Sequence, residues 1–228
     1  MIKQDFADKF AFTPDENRRF TRMNYTKLVY TNARFEGVKT TLPQTQTIMD
    51  GMSVAGVPIA DVLTIINLKR GWQFISNHIE TLTFEFEKEI NKIVAAEDSL
   101  DPGNLRSGLD GVYLSSDEYF EPSIIDETEE RDFLNNVLDS KRTTTDKAMT
   151  IMYHNMRQQM FWDGDKRTAV LVANKMMIDG GAGLINVPLD LWAEWHQLIA
   201  DFYRTNEMQQ LKAWTYQHAI QGLEVRQK

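Results

Sequence analysis

Helical periodicity runs through most of this 228-residue chain and restricts its fold more than any other feature. Apolar residues recur at spacings of three and four, as on the buried face of an α-helix. Six Pro and twelve Gly leave room for long helices. Ser123 and Thr143 each stand three residues before an Asp, a spacing similar to that of the capping box. We expect helices over residues 16–31, 41–50, 58–75, 83–95, 123–138, 143–159, 167–178, 189–203 and 206–223.

Residues 98–122 interrupt this pattern. They contain three of the twelve Gly and two of the six Pro, and their only β-like run is Val112-Tyr113-Leu114. This composition predicts a long loop that contains a short hairpin. Loops of this length in compact helical domains are usually functional. The predicted fold class is therefore mainly α, with one small β-hairpin.

The composition excludes several classes of protein. A formal net charge of −8 argues against a nucleic-acid binder, because phosphate binding requires clustered cations. The absence of Cys excludes disulfides, thiol nucleophiles and Cys-based zinc sites. No apolar run is long enough to span a membrane, and the first ten residues lack the apolar segment of a signal peptide. We expect a cytoplasmic protein, and the sequence leaves homo-oligomerisation open.

The segment most informative about chemistry is 159–169, QMFWDGDKRTA. A turn rich in Gly and Asp ends one predicted helix and begins the next, so backbone N–H groups and the helix dipole favour an anion there. Lys166 and Arg167 add two positive charges. Asp163 and Asp165 are compatible with a phosphate site if Mg²⁺ bridges them to the ligand. Taken alone, the segment is equally typical of an ordinary turn, with Asp165 as a helix N-cap.

This segment resembles the core motif of Fic (Fido-fold) proteins, H-x-F-x-[DE]-G-N-[GK]-R. The matching residues are Phe161, Asp163, Gly164, Lys166 and Arg167. Gln159 stands where the family has its His, and Asp165 stands where it has Asn. The family places this motif on a loop between two helices, where the periodicity independently places it here.

The resemblance extends over about residues 25–225. Residues 103–106, GNLR, and the following 112–122 resemble the family's G-x-x-R segment and its flap hairpin. Residues 31–37, TNARFEG, resemble its inhibitory helix motif, with Asn32 at the Ser/Thr position and Glu36 at the Glu. The resemblance implies a Fic/Fido-type helical domain over 51–228, preceded by a helical segment with the inhibitory-like motif over 1–50.

Most Fic proteins transfer AMP from ATP to a hydroxyl group of a target protein. By resemblance, Asp163 is expected to bind Mg²⁺ and Arg167 to stabilise phosphate charge during catalysis. The remaining nucleotide-binding positions are Phe161, Gly164, Asp165 and Lys166. The flap is expected to dock the target by strand-like pairing, through Val112, Tyr113 and Leu114.

Gln159 departs from this scheme because a carboxamide cannot serve as a general base near neutral pH, and such a loss costs about 10²–10⁴-fold in rate. Three interpretations stay open. The chain is a weak transferase, a catalytically silent Fic-fold module that binds nucleotide or protein, or a form in which Gln was introduced to trap an inactive state. The run Lys166-Arg167-Thr168-Ala169 also matches the Doc toxin, a Fic relative that transfers the γ-phosphate. A Doc-like phosphotransferase is therefore a further alternative.

Two other positions carry expectations from the resemblance. Asp165 adds negative charge to a phosphate site, and we favour its being a second metal ligand. In the family the inhibitory Glu pairs with a second Arg, three residues after the first, but Val170 occupies that position here. Glu36 is then expected to meet Arg167 or Lys166 if it inhibits, or else to be an exposed helix-terminal residue.

Overall fold

The computed structural model describes residues 6–223, in which helices dominate and the mainly α prediction is confirmed. None of these helices is both long enough and apolar enough to cross a membrane. The helices are α1 (Pro14–Met23), α2 (Tyr25–Phe35), α3 (Leu42–Met49), α4 (Ile59–Asn77), α5 (Phe84–Val94), α6 (Glu127–Asp139), α7 (Thr144–Gln158), α8 (Asp165–Asp179), α9 (Trp192–Thr205) and α10 (Gln209–His218). A 3₁₀ turn, Leu189–Leu191, precedes α9.

The first and fifth predicted helices differ from those in the structure. The helix expected over 16–31 is two helices that meet at Asn24, and the first begins earlier because Thr13 and Glu16 form a capping box. The helix expected from Ser123 begins after Asp126, whose carboxylate accepts hydrogen bonds from two backbone N–H groups of the first turn. An Asp is itself a strong N-cap, so the Ser three residues earlier is not needed. Thr143 caps α7 as predicted.

The structure has a second strand pair that the sequence analysis did not predict. The expected hairpin is present, with β1 (Val112–Tyr113) antiparallel to β2 (Tyr119–Phe120). In addition, β3 (Leu184–Ile185) pairs with β4 (Ile220–Gln221), so the helix expected over 206–223 is wrong at its end. Each strand has only two residues and the partners are far apart in sequence, which leaves no periodic signal to detect.

Helix α8 is the centre of the fold. Almost every residue from Arg167 to Ile178 is buried, so this helix is enclosed on all sides rather than on one face. It packs against α7 most extensively, and also against α1, α4 and α5. Even Lys175 is fully buried, with its Nζ donating to the His78 carbonyl at 2.9 Å and to Asp179 at 2.6 Å. A helix held this firmly gives the loop at its N-terminus a fixed base.

A buried carboxyl group lies between α5 and α7. Glu87 is 1% exposed. Its Oε2 accepts a hydrogen bond from Asn155 Nδ2 at 3.1 Å, and its Oε1 is buried without a partner. Burial raises the pKa of Glu87 to about 8, and the nearby charge of Glu130 adds to this effect. The folded protein therefore favours the protonated carboxyl at neutral pH.

This pKa predicts a pH-dependent effect of Glu87→Gln on stability. The unfolded side chain loses its proton near pH 4.5, whereas the folded one keeps it to about pH 8, so stability falls across this window as pH rises. The Gln variant should match the parent near pH 4 and exceed its free energy of unfolding by roughly 2–4 kcal/mol at pH 9. Urea titrations at several pH values measure this difference. Glu89→Gln, on the exposed face of α5, is the control, and an equal pH trend in both variants would contradict the account.

Candidate functional site

The loop that joins α7 to α8, residues 159–164, forms the floor of the candidate site. Gln159 ends α7 in the left-handed backbone region, with φ 49° and ψ 59°, and Gly164 precedes α8 with φ 77°. Between them, Phe161 is buried and bridges to Leu105 as a single antiparallel pair. Two left-handed residues within six positions reverse the chain tightly and direct the backbone into the start of α8.

The side chain of Asn91 in α5 is hydrogen-bonded to this loop. Its fully buried amide donates to the Asp163 carbonyl at 2.9 Å and to Thr168 Oγ1 at 3.1 Å, and its Oδ1 accepts from Gly103 N–H at 2.9 Å. One side chain therefore connects the loop, the first turn of α8 and the segment that leads to the flap. All three bonds involve buried groups, so removing any partner would leave a buried polar atom unsatisfied.

A cleft of about 230 Å³ opens above the loop. It brings together several predicted site residues: Gln159, Asp163, Gly164, Asp165, Lys166, Val112 of the flap and Glu36 of the inhibitory-like motif. Phe35, Asp110, Gly111 and Trp162 complete its lining. The other predicted residues lie outside this lining. Phe161 is in the core, Tyr113 is 75% exposed, and Leu114 bonds to Glu118 within the hairpin.

Arg167 does not face the cleft, and its guanidinium is almost completely buried. Its Nη1 donates to the Val94 carbonyl and to Asp98, and its Nη2 donates to Asp163 Oδ1, each at 2.7 Å. Its Nε lies 3.4 Å from Glu36 Oε2. Three carboxylates and one carbonyl thus surround a single cation, which ties α2, α5 and the loop to the start of α8.

The contact between Glu36 and Arg167 is one of the two that the inhibitory-like motif led us to expect. Glu36 is the C-cap of α2, and its side chain is mostly buried at the edge of the cleft. Burial raises the pKa of Glu36, while Arg167 and then Lys166 lower it. Lys166 lines the same cleft and has no ion-pair partner within 4 Å in residues 6–223.

Asp165 is the first residue of α8 rather than its N-cap, which is Gly164. Its Oδ1 accepts from Phe161 N–H at 3.0 Å, so the carboxylate closes the turn of the loop while lining the cleft. Burial raises the pKa of Asp165 to about 7, and the charges of Asp163 and Asp110 add to this effect. At neutral pH the residue is therefore charged in only part of the molecules.

The cleft has more acidic than basic groups. Its lining includes four carboxylates, those of Glu36, Asp110, Asp163 and Asp165, against the single ammonium of Lys166. No group of three or more metal-binding side chains occurs in the described residues. The half-exposed Asp163 uses only Oδ1 for protein donors. This fits Mg²⁺ that arrives with a polyphosphate, since that ion commonly takes one or two carboxylates and completes its shell with phosphate and water.

Three residues that shape this site carry no role predicted from the sequence: Asn91, Asp110 and Arg106, the last of which was matched only to the G-x-x-R segment of the resemblance. Asn91 lies on a helix whose pattern predicts only packing. Asp110 and Arg106 lie in the Gly-rich segment before the flap, and Arg106 is 2% exposed. A lone Arg within a Gly- and Ser-rich loop is a weak signal of a buried structural cation, and nothing in the sequence shows which atoms it contacts.

Comparison with known proteins identifies the fold. No family model matches the chain. A Fic domain-containing signalling protein from Bacteroides thetaiotaomicron superposes with a TM-score of 0.77 at 19% identity, over 91% of this chain and 87% of that one. A fragment of Fic-1 from Caenorhabditis elegans superposes with a TM-score of 0.72 at 19% identity, over 90% of this chain and 67% of that one. The chain has the Fic fold.

A curated relative agrees with this identification. Protein adenylyltransferase fic-1 of Caenorhabditis briggsae is 24% identical over an alignment of 203 residues, which covers 84% of this chain and 40% of the relative. The chain therefore spans well under half the length of that protein. The resemblance drawn from the motifs is confirmed, and the flap hairpin and the loop between α7 and α8 of this Fic-fold chain lie where that resemblance implied.

The tight packing beneath the loop predicts a measurable effect of Gly164→Ala. A Cβ at this position would lie 2.8 Å from Ala95 Cβ, in a backbone region that non-glycine residues rarely adopt. We expect a loss of about 2–4 kcal/mol in the free energy of unfolding. Gly56→Ala is the matched control, because its φ of 82° carries the same strain but no atom lies within 4 Å of its Cβ. It should lose only about 1 kcal/mol, and equal losses in chemical denaturation would contradict the account.

Proposed function

We propose that this chain is a Fic-type transferase that moves AMP from ATP to a hydroxyl group of a target protein, and that its rate is low because Gln159 occupies the general-base position. The observation that carries the proposal is the cleft at the start of α8. There the helix N-terminus, Lys166, Asp163 and flap residue Val112 converge around one cavity. The similarity to a protein named as an adenylyltransferase supports the same class of reaction.

The start of α8 is the proposed phosphate site. The first N–H groups of a helix lack partners within the helix, and the helix dipole adds partial positive charge. Gly164 carries no side chain, so a ligand can approach this backbone closely. Lys166 contributes a full positive charge with no competing ion pair in the described residues. Asp163 Oδ2 would hold Mg²⁺, whose charge would offset both the phosphates and the surrounding carboxylates.

Gln159 explains why transfer should be slow. Its Nε2 donates to the Met156 carbonyl at 2.6 Å, which fixes the amide against the last turn of α7. An amide in this position can orient a hydroxyl group by hydrogen bonding, but it cannot take the proton. Positioning of the two substrates would then supply most of the acceleration.

Arg167 must exchange partners before it can stabilise phosphate charge. In this structure its guanidinium is already paired with Glu36 and Asp163, and also with Asp98. Releasing Glu36 would free the Nε side of the guanidinium, and Mg²⁺ binding at Asp163 would weaken the second ion pair. We therefore propose that Glu36 inhibits the site by pairing directly with Arg167, the Arg of the core motif.

A catalytically silent Fic-fold module that binds nucleotide or protein is the second candidate. The excess of carboxylates in the cleft and the engagement of Arg167 favour it. A Doc-like phosphotransferase is the third, and it rests on the run that begins at Lys166. For all three we propose a cytoplasmic protein whose partner is another protein and not a nucleic acid, with residues 1–50 as an N-terminal helical segment that carries the inhibitory-like motif.

Labelled ATP distinguishes these candidates. With ATP labelled at the α-phosphate, we expect weak transfer to protein in a cell lysate, and about 10²–10⁴-fold faster transfer after Gln159→His, since a general base is then restored. Asp163→Ala in the same background is the control and should abolish the gain. Transfer of γ-label alone would favour the phosphotransferase. If Gln159→His transfers neither label, the catalytically silent module is the candidate that remains.

The inhibitory role of Glu36 predicts tighter nucleotide binding when its charge is removed. Calorimetric titration with Mg²⁺ and ATP should show about a tenfold lower Kd for Glu36→Gly and for Glu36→Gln, because one ion pair of about 1.4 kcal/mol no longer competes for Arg167. Glu89→Gln is the control with an unaltered site. An unchanged Kd in both Glu36 variants would rule out inhibition by this contact.

A further inference from the structure

Arg106 lies between the flap and the loop that carries Gln159. The flap, residues 107–123, leaves the body of the protein immediately after Arg106. Its hairpin has only two residue pairs, Val112 with Phe120 and Tyr113 with Tyr119. So short a hairpin is marginal by itself. Val112, Leu114 and Phe120 pack against the core, and further contacts fix the flap at its two ends.

The guanidinium of Arg106 makes those contacts. Its Nη1 donates to the Gly108 carbonyl at 2.6 Å, at the start of the flap, and its Nη2 donates to the Ser123 carbonyl at 2.5 Å, at the end. These two ends of the flap, here called the flap stem, are thus joined through one planar group. Arg geometry suits this task because the donors of a guanidinium point outward in a rigid fork.

The same guanidinium also binds the end of α7. Its Nε donates to the Gln159 carbonyl at 2.6 Å, and its Nη2 reaches the Gln158 carbonyl at 3.4 Å. The backbone N–H of Arg106 donates to the Met160 carbonyl at 3.0 Å. The last carbonyls of a helix lack partners within the helix and carry partial negative charge, so a cation there is stabilising. The left-handed backbone of Gln159 is therefore fixed from outside its own helix.

The choice of partners is unusual for a buried charge. Arg106 is 2% exposed, yet no carboxylate lies within 4 Å of it in residues 6–223. Buried cations are normally paired with a carboxylate. Here four carbonyl oxygens replace that carboxylate, two from the flap stem and two from the end of α7. Asp165 attracts this charge from farther away, and the four hydrogen bonds are complete only while both segments stay in place.

We propose that Arg106 is a positioning residue that sets the width of the cleft by holding both ends of the flap against the end of α7. Val112 on the flap and Gln159 on the loop both line the cleft. Arg106 donates hydrogen bonds to the Gly108 carbonyl at the start of the flap and to the Gln159 carbonyl. This inference concerns the shape of the cleft and does not depend on which reaction takes place there.

Hydrogen–deuterium exchange tests this coupling. In Arg106→Met, amide exchange should rise together in residues 107–123 and 159–164, by about tenfold or more, while α3 and α10 keep the rates of the parent. Arg106→Lys should show the same two-segment pattern at smaller amplitude, since a single ammonium cannot reach both stem carbonyls and both α7 carbonyls. If the Met variant fails to fold, the Lys variant decides the question.

The control is Arg204→Met, which removes the ion pair between Arg204 and Glu118 on the exposed side of the flap. It should raise exchange near Glu118 and leave 159–164 unchanged. Free guanidinium at millimolar concentration should restore slow exchange in both segments of Arg106→Ala, which a loss of stability alone would not allow. The proposal is overturned if exchange rises in only one segment, rises evenly along the chain, or is insensitive to guanidinium.

Discussion

The buried guanidinium of Arg167 is the constraint on which the site depends. The Arg167 side chain is 4% exposed. It donates hydrogen bonds to Val94 of α5 and to Asp163 of the loop, and it forms an ion pair with Glu36 at the end of α2. A buried cation is stable only with such partners, and here three carboxylates compensate its charge. The helix packing places α8 at the centre, and this cation aligns the loop with the segments around it.

The same interaction limits what the cleft can do. In this structure Arg167, the cation that the motif would supply to phosphate, is paired with carboxylates instead. Lys166 is the only cation in the cleft lining. Gln159 removes the proton acceptor, and Asp165 adds a carboxyl whose pKa is raised to about 7 by burial. A nucleotide could bind here only if metal compensates the acidic lining and Glu36 releases Arg167. On the proposed function, the chain would combine an anion site at the start of α8 with weakened chemistry.

The sequence was sufficient for features that rest on local or periodic signals. Helical spacing predicted most helices, Thr143 predicted the start of α7, and Val112 to Leu114 predicted the flap. It failed where the cause is non-local. The pairing of Leu184–Ile185 with Ile220–Gln221 depends on strands of two residues, and the break at Asn24 has no Gly or Pro to mark it. Roles for Asn91 and Arg106 could not be predicted, because their partners lie 12 to 77 residues away or are backbone carbonyls.

The most direct test of the central claim, that the start of α8 is a nucleotide site, is a crystal structure of the protein with Mg²⁺ and a non-hydrolysable ATP analogue. The account predicts a triphosphate at the N-terminus of α8, in contact with Lys166 and with a metal ion on Asp163, and Arg167 turned away from Glu36. A cleft that stays empty at saturating nucleotide, or a nucleotide bound elsewhere on the chain, would contradict it.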